Sequence, residues 1–233
     1  MNEEYKYPGE ELSLFNYAKN WKKYFAKSIK KYIKGKVLEV GAGIGNNTLL
    51  LNDGTSPYWL LLEPDGKMAS GLEKDIAEKK FPYNCSLIHG TVSNINQTFD
   101  TIIYIDVLEH IEDDAEELKT AATLLNPNGY LVVLSPAFQH IYSPFDKSIG
   151  HYRRYNRKMV RKITPPGIKI ESCRYYDSIG YFASLMNKII LKQKMPKLKQ
   201  IFFWDRYLLP VSTVTDKLFL HSFGKSIIVV WKK

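Results

Sequence analysis

The sequence predicts an α/β protein built on a doubly wound, mostly parallel seven-stranded sheet whose last strand runs antiparallel, with a helical insertion between the sixth and seventh strands. Three observations predict it. Short apolar runs alternate with helix-period stretches over residues 37–134. A glycine turn, Gly41-Ala42-Gly43-Ile44-Gly45, joins the first run to the next helix. Two later runs end in acidic residues, Glu63-Pro64-Asp65 and Asp106, at the strand ends where ligands of open α/β sheets gather.

The elements follow in order. Leu14, Phe15, Tyr17, Ala18, Trp21, Tyr24, Phe25, Ile29 and Ile33 recur at spacings of three and four with lysines between them, which predicts one amphipathic helix ending at Gly35. Residues 1–35 then form an N-terminal helical cap, and residues 5–14 read equally as a segment folding over a bound cofactor or as core packing at a fraying end. Val37, Leu38 and Val40 read as a buried parallel strand, and helical spacing resumes over 48–51. The second strand is 58–62, followed by a helix to about residue 80 with Asp65 as its cap. A short third strand covers 86–89. The fourth, 101–105, runs into Asp106-Val107-Leu108-Glu109-His110 and an acidic helix over 112–125. Asn126-Pro127-Asn128-Gly129 is a turn before a fifth strand at 130–134. Residues 168–176 and 225–231 alternate as strands with a partly exposed face and close the sheet. Between them, 177–224 reads as helices rich in Phe, Trp, Leu and Lys, an insertion or lid within a single domain over 1–233.

Composition narrows the class. Of 233 residues, 45% are hydrophobic and 13% aromatic, which suits a globular domain with a sizeable core. No apolar run approaches the ~20 residues of a membrane span, and the acidic, polar first residues predict no secretory leader. Cys85 and Cys173 form no spacing motif, so free thiols and a cytoplasmic location are expected. The net charge of +9 is unevenly spread: residues 1–150 carry 15 Lys/Arg against 20 Asp/Glu, and residues 151–233 carry 18 against 4, giving −5 and +14. A basic third of this kind suits contact with nucleic acid, an anionic membrane or a phosphorylated substrate. It equally describes a solvated lysine-rich surface.

The spacing of the turn separates two classes of ligand. A dinucleotide turn of the G-x-G-x-x-G type needs a small residue at position 46, where this chain has Asn46. The third glycine instead falls one place early, with Glu39 two places before the first. Glu63 follows Gly45 by 18 residues, close to the roughly 20-residue interval at which an acidic side chain holds a nucleoside ribose. Taken in order, VLEVGAGIG, LLLEPD, FDTIIYIDVLEHIEDD and LLNPNGYLVVLSPAF resemble the motifs of the class I S-adenosylmethionine (SAM) methyltransferases over about residues 30–140. The resemblance implies a Rossmann-like fold, SAM as cofactor and S-adenosylhomocysteine as product. It carries Glu39, Gly41, Ala42, Gly43, Gly45 and Asn46 to the methionine end, Glu63 and Pro64 to the ribose, and Thr91 to the adenine. Asp106, Val107 and Leu108 would border the cofactor near its methyl. The next segment, SPFDKSIGHYRRYNRKMV, looks like the D-x3-GHxRRY stretch of a bacterial subgroup associated with surface-glycan or natural-product pathways.

Methyl transfer from a sulfonium needs alignment, which supplies ~7–11 kcal/mol, and removal of one proton, for which a positioned base gives a further 10²- to 10⁴-fold. Near neutral pH that base is most simply a histidine. His89 lies within a strand, His221 in the insertion and His140 in an unplaced loop, which leaves His110 and His151, with His151 favoured. Each also reads as a structural histidine paired with Glu109 or Asp146. Arg153 and Arg154 offer a fork for an acceptor phosphate or carboxylate, or one of them pairs with Asp146; Tyr152 and Tyr155 would wall the acceptor site, or are core or rim aromatics without a function. No metal-ligand spacing is present, so no metal is expected. Lys192, Lys194, Lys197 and Lys199 precede Ile201-Phe202-Phe203-Trp204, a pattern that ordinary lid packing explains and that also suits peripheral contact with an anionic membrane on the inner face and a lipid-linked acceptor. The expected function is therefore O-methylation of a small-molecule, sugar or lipid-linked acceptor. N-methylation is the nearest alternative. An RNA methyltransferase lacks support, because no NPPY-like motif or RNA module is present. A NAD-type oxidoreductase, disfavoured by Asn46, and a non-catalytic SAM-binding partner are the rivals from other classes.

Overall fold

The computed structural model describes residues 6–9 and 11–233. Helices α1 (Glu11–Phe15) and α2 (Lys19–Ile29) precede β1 (Lys36–Val40), and α3 (Asn46–Leu51) connects it to β2 (Tyr58–Glu63). Then come α4 (Gly66–Ala77), β3 (Cys85–His89), β4 (Phe99–Ile105), α5 (Asp114–Thr123) and β5 (Leu125–Pro136). Helices α6 (Pro144–Ser148) and α7 (Arg157–Lys162) lead to β6 (Lys169–Tyr176). The insertion holds α8 (Ser178–Met186), α9 (Leu198–Phe203) and α10 (Leu209–Leu218), and β7 (Ser226–Lys232) ends the sheet.

The sheet has seven strands in the order β3-β2-β1-β4-β5-β7-β6. Pairings from β3 through β5 are parallel, and β7 is antiparallel to both its neighbours. This is the Rossmann-like, mostly parallel α/β architecture the alternation predicts. Because successive side chains in a strand face opposite ways, Leu38, Leu60, Ile102 and Leu131 pack on one side against Leu118 of α5 and Val160 of α7. Val37, Trp59, Ile103 and Val132 pack on the other against Trp21 and Phe25 of α2 and Ile201 of α9. Burial on both faces explains why these strands read as continuous apolar runs.

Two elements differ from the sequence reading. The single N-terminal helix is broken between Phe15 and Lys19, and α2 starts afresh because Asp205 caps it from outside, its carboxylate accepting from the Asn20 and Trp21 amides at 3.0 and 2.8 Å. Free amides of a helix's first turn need such partners. The 126–129 turn lies inside β5, where the register with β4 slips and Asn128 takes a positive φ of 63°. Asp65 does cap α4, accepting from Met68 at 2.9 Å. Tyr5, part of the segment expected to fold over a ligand, lies outside the described residues; Tyr7 and Leu12 of that segment border the central cavity.

Buried carboxylates fasten the insertion to the sheet. Asp177 accepts from the Gly180 amide, Trp204 Nε1 and Ser212 Oγ. Asp216 accepts from the amides of Asp177 and Ser178 and from Tyr24 Oη of α2. Among the described residues, no helix is long and apolar enough to cross a membrane.

Candidate active site

The chain reverses its direction of sheet growth between β1 and β4, the position where open α/β sheets form their ligand crevice. The loops after these two strands open on a cavity of about 700 Å³. One wall carries Gly41, Ala42, Gly43 and Asn46 of the turn with Glu63 and Pro64 at the end of β2. Asp106 and Val107 face them from β4, Glu109, His110, His151 and Arg154 form the far end, and residues of the insertion make the roof.

The turn owes its shape to three positive-φ glycines, with φ of 66°, 59° and 75° at Gly41, Gly43 and Gly45. A Cβ at Gly41 would sit 2.6 Å from Val107 Cγ2, and one at Gly45 would be 2.7 Å from Phe81 Cε1. At Gly43 the nearest atom is Leu12 Cδ1, 3.8 Å away, so this glycine keeps the cavity floor open. Glu63 Oε2 accepts from the Gly43 amide at 2.7 Å and Oε1 from the Asp65 amide at 2.9 Å. Each oxygen keeps a further lone pair, so the carboxylate retains capacity for two vicinal hydroxyls. Burial pushes the Glu63 pKa up, against those two amide hydrogen bonds.

Four of the residues expected at the cofactor lie off the cavity lining. Glu39 shares the β1 face of Val37, and its Oε2 accepts from Thr48 Oγ1 at 2.7 Å and Trp59 Nε1 at 2.8 Å beneath the turn. Gly45 packs on Phe81 and Leu72. Leu108 is buried in the core. Thr91 is exposed and caps the short turn Val92–Asn94.

Glu39 makes stability pH-dependent. Burial pushes its pKa from 4.5 to about 7, against the pull of its two hydrogen bonds. A folded-state value above the unfolded one means the stabilisation is fully present below about pH 4.5 and is lost as pH rises through about 7. At ~1.4 kcal/mol per unit the change is about 3 kcal/mol. The melting temperature of the ligand-free protein is therefore expected to fall between pH 5 and 8, and Glu39→Gln to flatten that profile. Parallel profiles for the two proteins would contradict this account.

The two histidines singled out from sequence come together. Their rings meet edge to face with centroids 4.6 Å apart, and Tyr7 contacts His110 at 5.3 Å. His151 Nδ1 lies 3.0 Å from Asp146 Oδ1, and its Nε2 lies 3.8 Å from Glu109 Oε1. Asp146 is fully buried and also accepts from Ser143 and from Arg154 Nε at 2.8 Å. Burial would raise its pKa, but the His151 hydrogen bond and the Arg154 charge outweigh that and bring it to about 2. Burial, with His151 beside it, lowers the His110 pKa to about 3. Burial and then the charge of Asp106 push the Glu109 carboxyl well above its ordinary range.

Of the residues expected to bind the acceptor, only Arg154 lines the cavity, and there it serves Asp146. Arg153 turns away to Asp114 at 2.7 Å and the Glu112 carbonyl at 2.6 Å. Tyr155 is core, its hydroxyl donating to Asp114 at 2.8 Å. Tyr152 is 51% exposed and outside the cavity. Sequence reading treated Glu109 only as a partner for a histidine and passed over Lys225. Lys225, the residue before β7, lies 3.4 Å from Asp177 and 3.5 Å above the Trp204 ring, and reaches the cavity. Its position depends on the insertion's fold, for which no local pattern exists.

Residues 14–186 match the family described as a methyltransferase domain. No curated protein matches the chain. Among solved structures, a SAM-dependent methyltransferase from Clostridium acetobutylicum superposes with a TM-score of 0.58 at 14% identity, covering 92% of this chain and 91% of that one. The magnesium protoporphyrin IX methyltransferase of Synechocystis, solved with bound SAM, gives 0.55 at 13% identity over 92% and 80%. The [4+2]-cyclase SpnF gives 0.62 at 13% identity over 90% and 80%. At these identities the likeness is one of fold, which does not fix the reaction.

Proposed function

The chain belongs to the methyltransferase-domain family and is a SAM-dependent methyltransferase, and we propose that it methylates an oxygen of a small-molecule, sugar or lipid-linked acceptor. The observation that carries this reading is one cavity with the glycine turn and Glu63 at one end and Glu109, His110 and His151 at the other. The turn fits the cofactor: Gly43 leaves the floor open and Glu63 has free acceptor capacity. When bound, SAM supplies an electrophilic methyl on a sulfonium. Asp106 and Val107, which line the cavity after β4, would border it. His151, oriented by Asp146, takes the proton of the acceptor hydroxyl.

The roof also bears on the class of acceptor. Met186, Leu191 and Phe203 line the cavity and are 51%, 49% and 55% exposed. The same insertion also carries Ile189, Ile190, Phe202 and Tyr207, each 46% exposed or more. Lysines 188, 192, 194, 197 and 199 lie among them in the sequence. Apolar groups of this extent beside cations suit an anionic bilayer, and a lipid-linked acceptor would reach the cavity along the same residues.

The test is to incubate the protein with tritium-methyl SAM and fractionated extracts of cells that produce it. Label is expected in an organic-soluble or glycan fraction as an alkali-stable methyl ether, with flotation on anionic but not neutral liposomes. Label confined to nitrogen or RNA would replace the O-methylation reading.

A further inference from the structure

We propose that Glu109, His110 and His151 form a binding site for a divalent transition-metal ion at the acceptor end of the cavity. This rests on the acceptor reading given above, because the ion would stand where the acceptor oxygen is received. The three residues come from two loops, the one after β4 and the one after α6, and each offers one ligand atom, all within 4.8 Å of one another.

Glu109 supplies the independent observation. Its side chain is fully buried, Oε2 is engaged by Ser135 Oγ at 3.0 Å, and Oε1 has no hydrogen-bond partner among the described residues. A buried polar atom left without a partner costs about 1–3 kcal/mol, so native proteins supply one. Oε1 faces His151 Nε2 across 3.8 Å, too far for a hydrogen bond. Two ligands on one tetrahedral zinc-like ion, each ~2.0–2.2 Å from it, stand about 3.4 Å apart, so closing this gap needs a shift of a few tenths of an ångström.

The setting of His151 fits the same purpose. Asp146, already paired with the Arg154 guanidinium, can only accept, so Nδ1 presents its hydrogen to Asp146 and Nε2 turns its lone pair toward Glu109. A carboxylate behind the far nitrogen is the arrangement that orients metal-ligating histidines. Two imidazoles and one carboxylate select a zinc- or iron(II)-like ion over calcium or magnesium, which prefer oxygen ligands. Three protein ligands leave positions open for acceptor oxygens. An ion there would make a coordinated hydroxyl more acidic, taking over the task assigned to His151 alone.

The sequence did not show this site, because Glu109-His110 and His151 are forty residues apart and fit no ligand spacing. The experiment is a titration of chelator-treated full-length protein with Co²⁺ alone, followed by visible absorption, with S-adenosylhomocysteine binding measured in parallel by calorimetry. One equivalent of Co²⁺ is expected to bind, and Glu109→Gln and His110→Ala each to weaken it at least about 10-fold while still binding S-adenosylhomocysteine. His140→Ala, outside the cluster, is expected to bind Co²⁺ like the parent. Absence of stoichiometric binding, or equal affinity in Glu109→Gln and His110→Ala, overturns the proposal. If S-adenosylhomocysteine binds and Co²⁺ does not, the metal site falls and the methyltransferase reading stands. If Co²⁺ binds as expected and S-adenosylhomocysteine does not, the reverse holds.

Discussion

Gly43→Val is expected to abolish S-adenosylhomocysteine binding in a protein that still folds, whereas Gly45→Val is expected to lose the fold itself. Both glycines have positive φ, so either substitution carries the strain of a side chain in the left-handed region, about 1–3 kcal/mol. The difference lies in what the new side chain meets. At Gly45 it collides with the Phe81 ring and with Leu72 Cδ2 at 3.0 Å, both in the buried layer beside α4, and overpacking adds a further ~1–3 kcal/mol. Together these approach the whole stability of a marginal domain. At Gly43 it meets only Leu12 Cδ1 and fills the cavity floor, where a ligand must approach the backbone. A loss of at least 100-fold in affinity, about 2.7 kcal/mol, is expected there, with a melting temperature only a few degrees lower. The readouts are the melting temperatures of both variants and the shift each shows on adding S-adenosylhomocysteine. A Gly43→Val protein with the parent's shift would remove the turn from the cofactor site.

The same turn shows what was legible in the sequence. A repeat of short apolar runs, each buried on two faces, reveals parallel strands, and Asp65 and the residues after β4 follow because strand ends fix their place. Glu39 shows the limit. The period of two puts it on the face of Val37 and Trp59, so its carboxylate is spent beneath the turn, although its spacing from the glycines suggested a ligand contact. The stretch 151–155 was harder still. It is irregular, with no period to say which side chains face inward, and partners far along the chain decide it: Asp114 draws off Arg153 and Tyr155, and Asp146 takes Arg154. Likewise the broken N-terminal helix depends on Asp205, some 185 residues away. Long-range carboxylates of this kind leave no local pattern.

Those carboxylates also separate a catalytic loss from a structural one at His151. In His151→Ala, Asp146 keeps the hydrogen bonds from the Ser143 amide and hydroxyl and from Arg154 Nε. The buried charge stays paired, and the loop is expected to hold. S-Adenosylhomocysteine should bind as in the parent, since the turn and Glu63 are untouched. Transfer of tritiated methyl to the acceptor fraction should fall by 10²- to 10⁴-fold, the range for losing assisted removal of the acceptor's proton, whether His151 takes that proton or holds the ion that acidifies it. Asp146→Ala is the contrasting variant. It strands the Arg154 guanidinium, only 5% exposed, without its carboxylate, and breaking a buried pair from one side costs about 3–5 kcal/mol. That protein should lose its melting transition or shift it sharply downward, and should lose cofactor binding along with transfer. A His151→Ala protein that melts like Asp146→Ala would make His151 a structural residue. One that transfers methyl at the parent's rate would move the chemistry elsewhere in the cavity.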